Sequence, residues 1–482
     1  MKEAADRLTA SLGAFEGTVE DFDAKAYFEN GEFTEQMLDI CREKGVDVRG
    51  EFPAYEMFPY RVKVDTENQE LYLDRKKVQC MRPQSFVELV QRGQSQLFPP
   101  ADRMTYGIRF LTDFWKEKYF QEYIRDGGSK IKFVTGRIGS GKTHFLYLLT
   151  DLAQKENYLT VRFSAKDIWM HDFKEIYVEI LRQCDILKCL ENVSHHLIRG
   201  MGFEDADIPA EMKFIDYLSG NGMGDALTKR EIRTQLRQLF LDNPMMDNNF
   251  ALACSMLTGS ILGYPILEEQ NQELLLAWLR GDRTVKLSQL RAMDFYPSRI
   301  TKYNARHMLR SLAELVRMGG YSGLFIAIDD MEILISRSSL ETVHYTKMKR
   351  EDTYESIRQL IDDIDSMQNI MFVYAFDRKL IDNENAGLKS YQALWMRIQN
   401  EIVGERFNRF TDMVDLDRLA LQEYTSEVII DISKSFVSMQ QNRFIYPLDS
   451  TKAEEIITQA RTGAIGIPKL IQMAMQGVEA DV

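Results

Sequence analysis

Apolar residues recur at helical spacing from Gly107 to Gly128, and the glycine pair 127–128 stops the run. A short apolar stretch, "IKFVT" (Ile131–Thr135), follows and predicts a buried strand. Helical spacing returns in "FLYLLTDLAQ" (Phe145–Gln154), then a strand pattern in "NYLTVRFSA" (Asn157–Ala165), then a helix in "FKEIYVEILRQC" (Phe173–Cys184). From about Asp185 to Gly320 the chain reads as helices and loops. Ala305, Met308, Leu309, Leu312 and Val316 form one apolar stripe there. "SGLFIAIDD" (Ser322–Asp330) and "NIMFVYAFD" (Asn369–Asp377) are strongly apolar strands, with the helix "TYESIRQLIDDIDSM" between them. "TDMVDLDRL" (Thr411–Leu419) holds a short fifth strand, and the chain after about Gln422 is helical.

Before Gly107 the pattern is smaller in scale. Residues 1–30 are acidic and weakly patterned. "FTEQMLDICREKG" (Phe33–Gly45) and "PQSFVELVQRG" (Pro83–Gly93) predict helices. "YRVKV" and "ELYL" flank the polar run Asp65–Gln69 as a hairpin. "RGQSQLFPPADR", stiffened by Pro99 and Pro100, reads as a linker.

Alternating buried strands and helices imply an α/β fold, a parallel five-stranded sheet with helices on both faces. The long helical stretch is too long for a connection and predicts a large helical insert. The expected divisions are a small N-terminal α+β module (1–95), the first half of the core (96–184), the insert (185–320), the second half of the core (321–420) and a C-terminal helical part (421–482).

With 60 basic and 73 acidic residues the formal net charge is −13, which argues against a general nucleic-acid coat but leaves a local basic surface open. The five cysteines are odd in number and show no C-x-x-C spacing, so neither a disulfide framework nor a zinc site is expected. None of the six histidines lies at zinc spacing. The N-terminus lacks the apolar core of a signal peptide, and no stretch reaches the ~18 apolar residues of a membrane span. A cytoplasmic protein without a membrane partner is expected.

The loop "TGRIGSGKTHF" (Thr135–Phe145) sits between a strand and a helix. Gly136, Gly141, Lys142 and Thr143 fit G-x-x-x-x-G-K-[ST], with Gly139 and Ser140 inside it. Glycines let the backbone wrap phosphates closely, and successive N–H groups at a helix N-terminus supply positive partial charge. Lys142 is expected to reach the β- and γ-phosphates of ATP and Thr143 to bind Mg2+. His144 is counted with the loop, although packing alone accounts for it. The second half of such a site is an acid ending a buried strand. Asp329 fits, as the residue that holds Mg2+. Asp330 stands where many ATPases carry a water-polarising glutamate. It is one methylene shorter, so either Asp330 or Glu332 takes that role, or ATP is sensed rather than hydrolysed.

One strand lies between the loop and Asp329 in sequence, which points to the additional-strand class of P-loop NTPases that includes AAA+ and STAND proteins. In that class the strand beside Asp329's ends in a γ-phosphate sensor. Here it ends in Asp377, which equally suits a helix cap. Arg406 and Arg409 precede the fifth strand, where an arginine finger acts on a neighbouring subunit, and this leaves a homo-oligomer open. "TGAIGIPKLIQ" resembles the start of a sensor-two helix, with Lys469 as its phosphate contact. Residues 280–317 hold nine basic residues against three acidic ones, with Tyr296, Tyr303 and His307 interleaved. They suit either DNA or a solvated face.

"GRIGSGKTHFLYLLTDLAQKENYLTVRFSAKD" resembles the P-loop region of the ATP-binding proteins of BREX bacteriophage-resistance systems. His144, Phe145 and Leu146 match that family's continuation of the loop. The stretch "ITKYNARHMLRSLAELVRMGGYSGLFIAIDDMEIL" (Ile300–Leu334) is similar to the family's approach to its acidic strand, with Asp329, Asp330, Met331 and Glu332 standing for D-E-x-E. "RQLIDDIDSMQNIMFVYAFDRKLID" and "SYQALWMRIQ" continue the likeness, which covers roughly residues 100–475. The resemblance implies a cytoplasmic ATPase of a phage-defence operon, working with other defence-system proteins on DNA. A non-hydrolysing, nucleotide-dependent binding module is the alternative.

Overall fold

The computed structural model describes residues 62–65, 70–73, 109–204, 207–209, 212–336, 343–399, 409–439, 447–463 and 465–475. The helices expected at 33–45 and 83–93, the proline linker and Arg406 lie outside the described residues. The chain divides into two units, 1–98 and 99–482. In the first, β1 (Val62–Asp65) and β2 (Glu70–Leu73) pair antiparallel, Asp65 opposite Glu70.

In the second unit β3 (Ser129–Gly136), β4 (Tyr158–Ser164), β5 (Gly323–Asp329), β6 (Ile370–Asp377) and β7 (Met413–Asp415) form a parallel sheet in the order β4-β5-β6-β3-β7. β6 therefore lies between β3 and β5 in space, although it follows both in sequence. Every residue of β6 is buried, as are the first six of β5. Strands covered on both faces need no polar alternation, which is why both read as unbroken apolar runs.

Alternation along each strand sorts side chains to two cores. Phe133, Ile326, Ile328, Phe372 and Tyr374 face one. Val134, Phe325, Ala327, Val373 and Ala375 face the other. The second core is closed by α1 (Arg109–Trp115), its π-helical continuation Lys116–Tyr123 and α2 (Lys142–Lys155), with Trp115 edge-on to Phe145 and Phe120 to Phe325. Each such ring, fully buried, contributes ~1.5–3 kcal/mol.

The first core takes in α3 (Phe173–Gln183), α4 (Ile186–Gly200), α5 (Asn248–Leu262), α6 (Ala305–Met318) and α7 (Lys347–Asp363). The helices between β4 and β5 share one continuous apolar core with the sheet face, and the stripe Ala305, Met308, Leu309, Leu312, Val316 is what α6 buries there. A third core joins α8 (Leu416–Glu423), α9 (Ser426–Met439), α10 (Ser450–Thr462) and α11 (Ile467–Met475).

Lys132, a charged residue in the middle of β3, is fully buried. Its ammonium donates to the Phe410 and Thr411 carbonyls at 3.0 and 2.8 Å and to Asp412 Oδ1 at 3.1 Å, and stands 4.6 Å from the Tyr119 ring centroid. These bonds tie the approach to β7 onto the sheet. Burial pushes the Lys132 amine down to about 8 against the opposing pull of Asp412.

Candidate nucleotide site

The strands deliver the chemistry to one edge. Register pairs Gly136 with Asp377 and Ser164 with Asp329, so four strand ends lie side by side at the carboxyl edge of the sheet, where open α/β sheets bind ligands. Between β3 and α2 the chain turns through Gly139 (φ 75°) and Gly141 (φ 91°), both in the left-handed region that a Cβ disfavours. Gly141 stands immediately before α2, whose first-turn N–H groups lack intrahelical acceptors. That gives the loop an anion-binding end.

Lys142 Nζ bonds the carbonyls of Gly136 (3.0 Å) and Arg137 (2.8 Å) and lies 3.9 Å from Asp377 Oδ2. The amine is thus held over the loop. Thr143 Oγ1 donates to Asp329 Oδ2 at 2.6 Å, joining the first turn of α2 to the end of β5. Asp329 Oδ1 accepts the Asp330 N–H at 2.8 Å. Burial, with the neighbouring Asp330 charge, raises the Asp329 carboxyl above its ordinary value. A hydroxyl and a carboxylate so placed are hard oxygen donors of the kind that hold Mg2+.

Asp330 and Glu332 part company. Asp330 adopts a left-handed conformation (φ 59°, ψ 32°). Its carboxylate turns to β4, where Ser164 Oγ donates to Oδ2 at 2.7 Å and Lys166 Nζ to Oδ1 at 2.8 Å. The same kink starts a 3-10 turn, Met331–Ile335, which carries Glu332 to the end of β6. There Glu332 Oε2 accepts the Asp377 N–H at 2.9 Å. Burial raises the Glu332 carboxyl, and the Lys142 charge opposes that rise. Asp377 Oδ1 accepts the Lys379 N–H (2.9 Å) at the start of the short helix Lys379–Asp382, while Oδ2 faces Lys142. His144 sits in the first turn of α2, and burial lowers its imidazole to about 4, so it is neutral at pH 7.

The C-terminal helices reach the loop directly. Ile465 bridges Ile138, the Gly466 N–H donates to Ile138 O (3.0 Å), and the Lys469 N–H donates to Gly139 O (3.2 Å). A Cβ on Gly466 would stand 2.6 Å from the Ser140 N and Cα, so only glycine allows this approach. The Lys469 stem lies against Gly139. Arg137 adds two ties that the sequence did not signal. Its N–H donates to Asp417 Oδ2 at 2.6 Å, and its guanidinium to Ala460 O at 2.8 Å. Ser164 and Lys166 were missed too; their only signal was a hydroxyl and an amine at the end of the second strand, "FSAK".

The basic stretch 280–317 is divided. Arg283 pairs with Glu175, Arg317 with Glu314, and Arg306 with Asp363 at 3.5 Å while lying over the Phe173 ring. Arg299, Lys302, Tyr296 and Tyr303 remain exposed. Arg409 stacks over the Phe110 ring. Among the described residues no helix is long and apolar enough to cross a membrane.

No curated protein matches the chain, and neither does any solved structure. A phosphate loop, an acid-ended strand bonded to it and a five-stranded parallel sheet are compatible with a P-loop NTPase. Residues 118–466, more than half of the chain, match the family model of the BREX system ATP-binding protein BrxC/D, and the chain belongs to that family.

Proposed function

We propose that this protein is an AAA+-like P-loop ATPase of the additional-strand class. It would act as a nucleotide-driven switch in the cytoplasm with the other proteins of a BREX phage-defence system. The observation that carries the reading is the 2.6 Å bond between Thr143 Oγ1 and Asp329 Oδ2 beside the Lys142 amine. The position of β6 between β3 and β5 supports the class.

In this reading the N–H groups of residues 139–143 cradle the phosphates and Lys142 moves from the Gly136 and Arg137 carbonyls to the β- and γ-phosphates. Thr143 and Asp329 would hold Mg2+, which would neutralise developing phosphate charge. Glu332 orients and deprotonates the attacking water, because its carboxylate faces the Lys142 side of the site whereas Asp330 is tied to β4. Asp377 and Lys469 lie where each can respond to the γ-phosphate. His144 is a packing residue of the first turn, and Arg406 is the finger offered to a second copy. The helical stretch 185–320 is the insert, and 421–482 the lid that follows the loop through Gly466. DNA is the substrate on which the system acts, met through exposed residues of 280–317.

A second reading has its own observation. With both oxygens of Asp330 held by Ser164 and Lys166, ATP would be bound and kept, its occupancy signalled through the lid. Single-turnover incubation with labelled ATP and Mg2+ separates the two. Conversion to ADP that Lys142→Ala abolishes supports hydrolysis. Bound ATP recovered intact after hours supports the switch without turnover.

A further inference from the structure

The loop leaving β4 carries two sets of residues. Ser164 and Lys166 hold Asp330. A few residues on, Trp169 and His171 belong to an aromatic group with Tyr345, with Trp169 5.3 Å from the His171 ring and 5.5 Å from Tyr345. Tyr345 fixes this loop, its hydroxyl accepting the Met170 N–H at 2.7 Å. Lys349, at the start of α7, places its ammonium 3.5 Å from the Trp169 ring centroid. Lys302 comes from the segment before α6 and lies 5.3 Å from the ring of Tyr303, which is 82% exposed.

Arg306, four residues after Lys302, lies over the ring of Phe173, two residues after His171, which sets the two segments side by side on one face. In keeping with this, the charges of Lys349 and Lys302 both act on the His171 imidazole, along with those of Asp172 and Asp352. Asp172 is occupied as the cap of α3 through the Lys174 N–H. His171 Nδ1 is buried without a hydrogen-bond partner among the described residues.

We propose that the face formed by Trp169, His171, Lys302, Tyr303 and Lys349 binds single-stranded nucleic acid, with a base stacked on Tyr303 and the phosphates held by Lys302 and Lys349. Three features select this occupant. A projecting tyrosine ring offers a π-face to any base, and only an unpaired strand can present one. Two ammonium groups beside aromatic rings are donors for a phosphate backbone, in a chain whose net charge of −13 otherwise repels it. A stacked ring and two ammonium groups read no base edge, so binding is tolerant of sequence. A duplex keeps its bases stacked inside and leaves Tyr303 nothing to engage.

This inference deepens the DNA reading above and rests on it. The test is fluorescence anisotropy of a labelled oligothymidine titrated with the full chain, alongside a duplex of equal length. The single strand is expected to bind more tightly than the duplex, with affinity falling as salt rises. Tyr303→Ala should weaken binding roughly tenfold, and Tyr303→Phe, which keeps the ring, should retain wild-type affinity. Lys302→Glu should weaken binding and flatten its salt dependence. Wild-type affinity in both Tyr303→Ala and Lys302→Glu overturns this face while leaving DNA as a partner. Equal or tighter duplex binding overturns the single-stranded assignment. Binding of neither form overturns the DNA reading with it.

Discussion

Glu332→Gln should collapse the chemical step and leave nucleotide affinity near wild type, whereas Asp330→Asn should leave both near wild type. Glutamine retains an oxygen that can accept the Asp377 N–H, now at 2.9 Å from Glu332, so the strand ends keep their positions. What it loses is the ability to take a proton from water, a contribution of ~10²–10⁴ in rate. A hundredfold loss corresponds to ~2.7 kcal/mol of barrier. Asp330→Asn keeps an acceptor for Ser164 and loses the charge that helps to raise the Asp329 and Glu332 carboxyls and that faces Lys166. Both side chains of that pair are about a third exposed, and such pairs are worth ~0.2–1 kcal/mol, so the rate should change by no more than about fivefold. The assay is single-turnover conversion of labelled ATP at saturating protein, with affinity measured separately by a fluorescent nucleotide. The pH profile gives an independent check. Burial raises the Glu332 carboxyl above its ordinary 4.5, and a base works only when deprotonated. The rate should therefore rise with pH through that raised value, and Glu332→Gln should abolish this limb. A rate in Asp330→Asn as low as in Glu332→Gln, or a near-normal rate in Glu332→Gln, would refute the assignment of roles.

Three further outcomes are expected. Lys142→Ala should abolish turnover; purified protein whose Mg2+-dependent ATPase is unchanged by it would sink the phosphate-loop reading. Gly466→Val drives a side chain into the Ser140 backbone and should detach the C-terminal helices from the loop. Faster proteolysis within 416–475 and weaker nucleotide binding would report this, and an unchanged digestion pattern would contradict it. Lys132→Met removes the donor to the Phe410 and Thr411 carbonyls and leaves Asp412 with Lys130 alone, costing about 2 kcal/mol in urea denaturation. Because the folded amine titrates near 8 and the unfolded one near 10.5, the unfolded chain holds the extra proton between those values. Wild-type stability should gain from this group as pH rises through that window, and Lys132→Met should lose that gain.

The sequence by itself determined the loop and its acid. G-x-x-x-x-G-K-T is a local constraint, since the left-handed turns at Gly139 and Gly141 and the helix start at Lys142 are set by neighbours along the chain. Asp329 was legible because it ends an apolar run that burial on both faces dictates. The stripe of α6 and the parallel α/β character followed from the same periodicities. Tertiary structure decided what depends on distant partners. Whether Asp330 or Glu332 faces Lys142 turned on a left-handed residue and on Ser164, 166 positions away. The basic stretch 280–317 looked continuous until Glu175, Asp363 and Glu314 claimed three of its arginines. Lys132 stands inside a run that reads as a buried strand, and only the tertiary structure supplies the partners of its charge, the carbonyls of Phe410 and Thr411 and the Asp412 carboxylate. The ties from Arg137 to Asp417 and Ala460 span 280 and 323 residues of chain, and Gly466 reaches back over a similar length to Ser140. Periodicity tells a residue which side is apolar. It does not tell which distant backbone will arrive there, because that is settled only when the packed elements share one core.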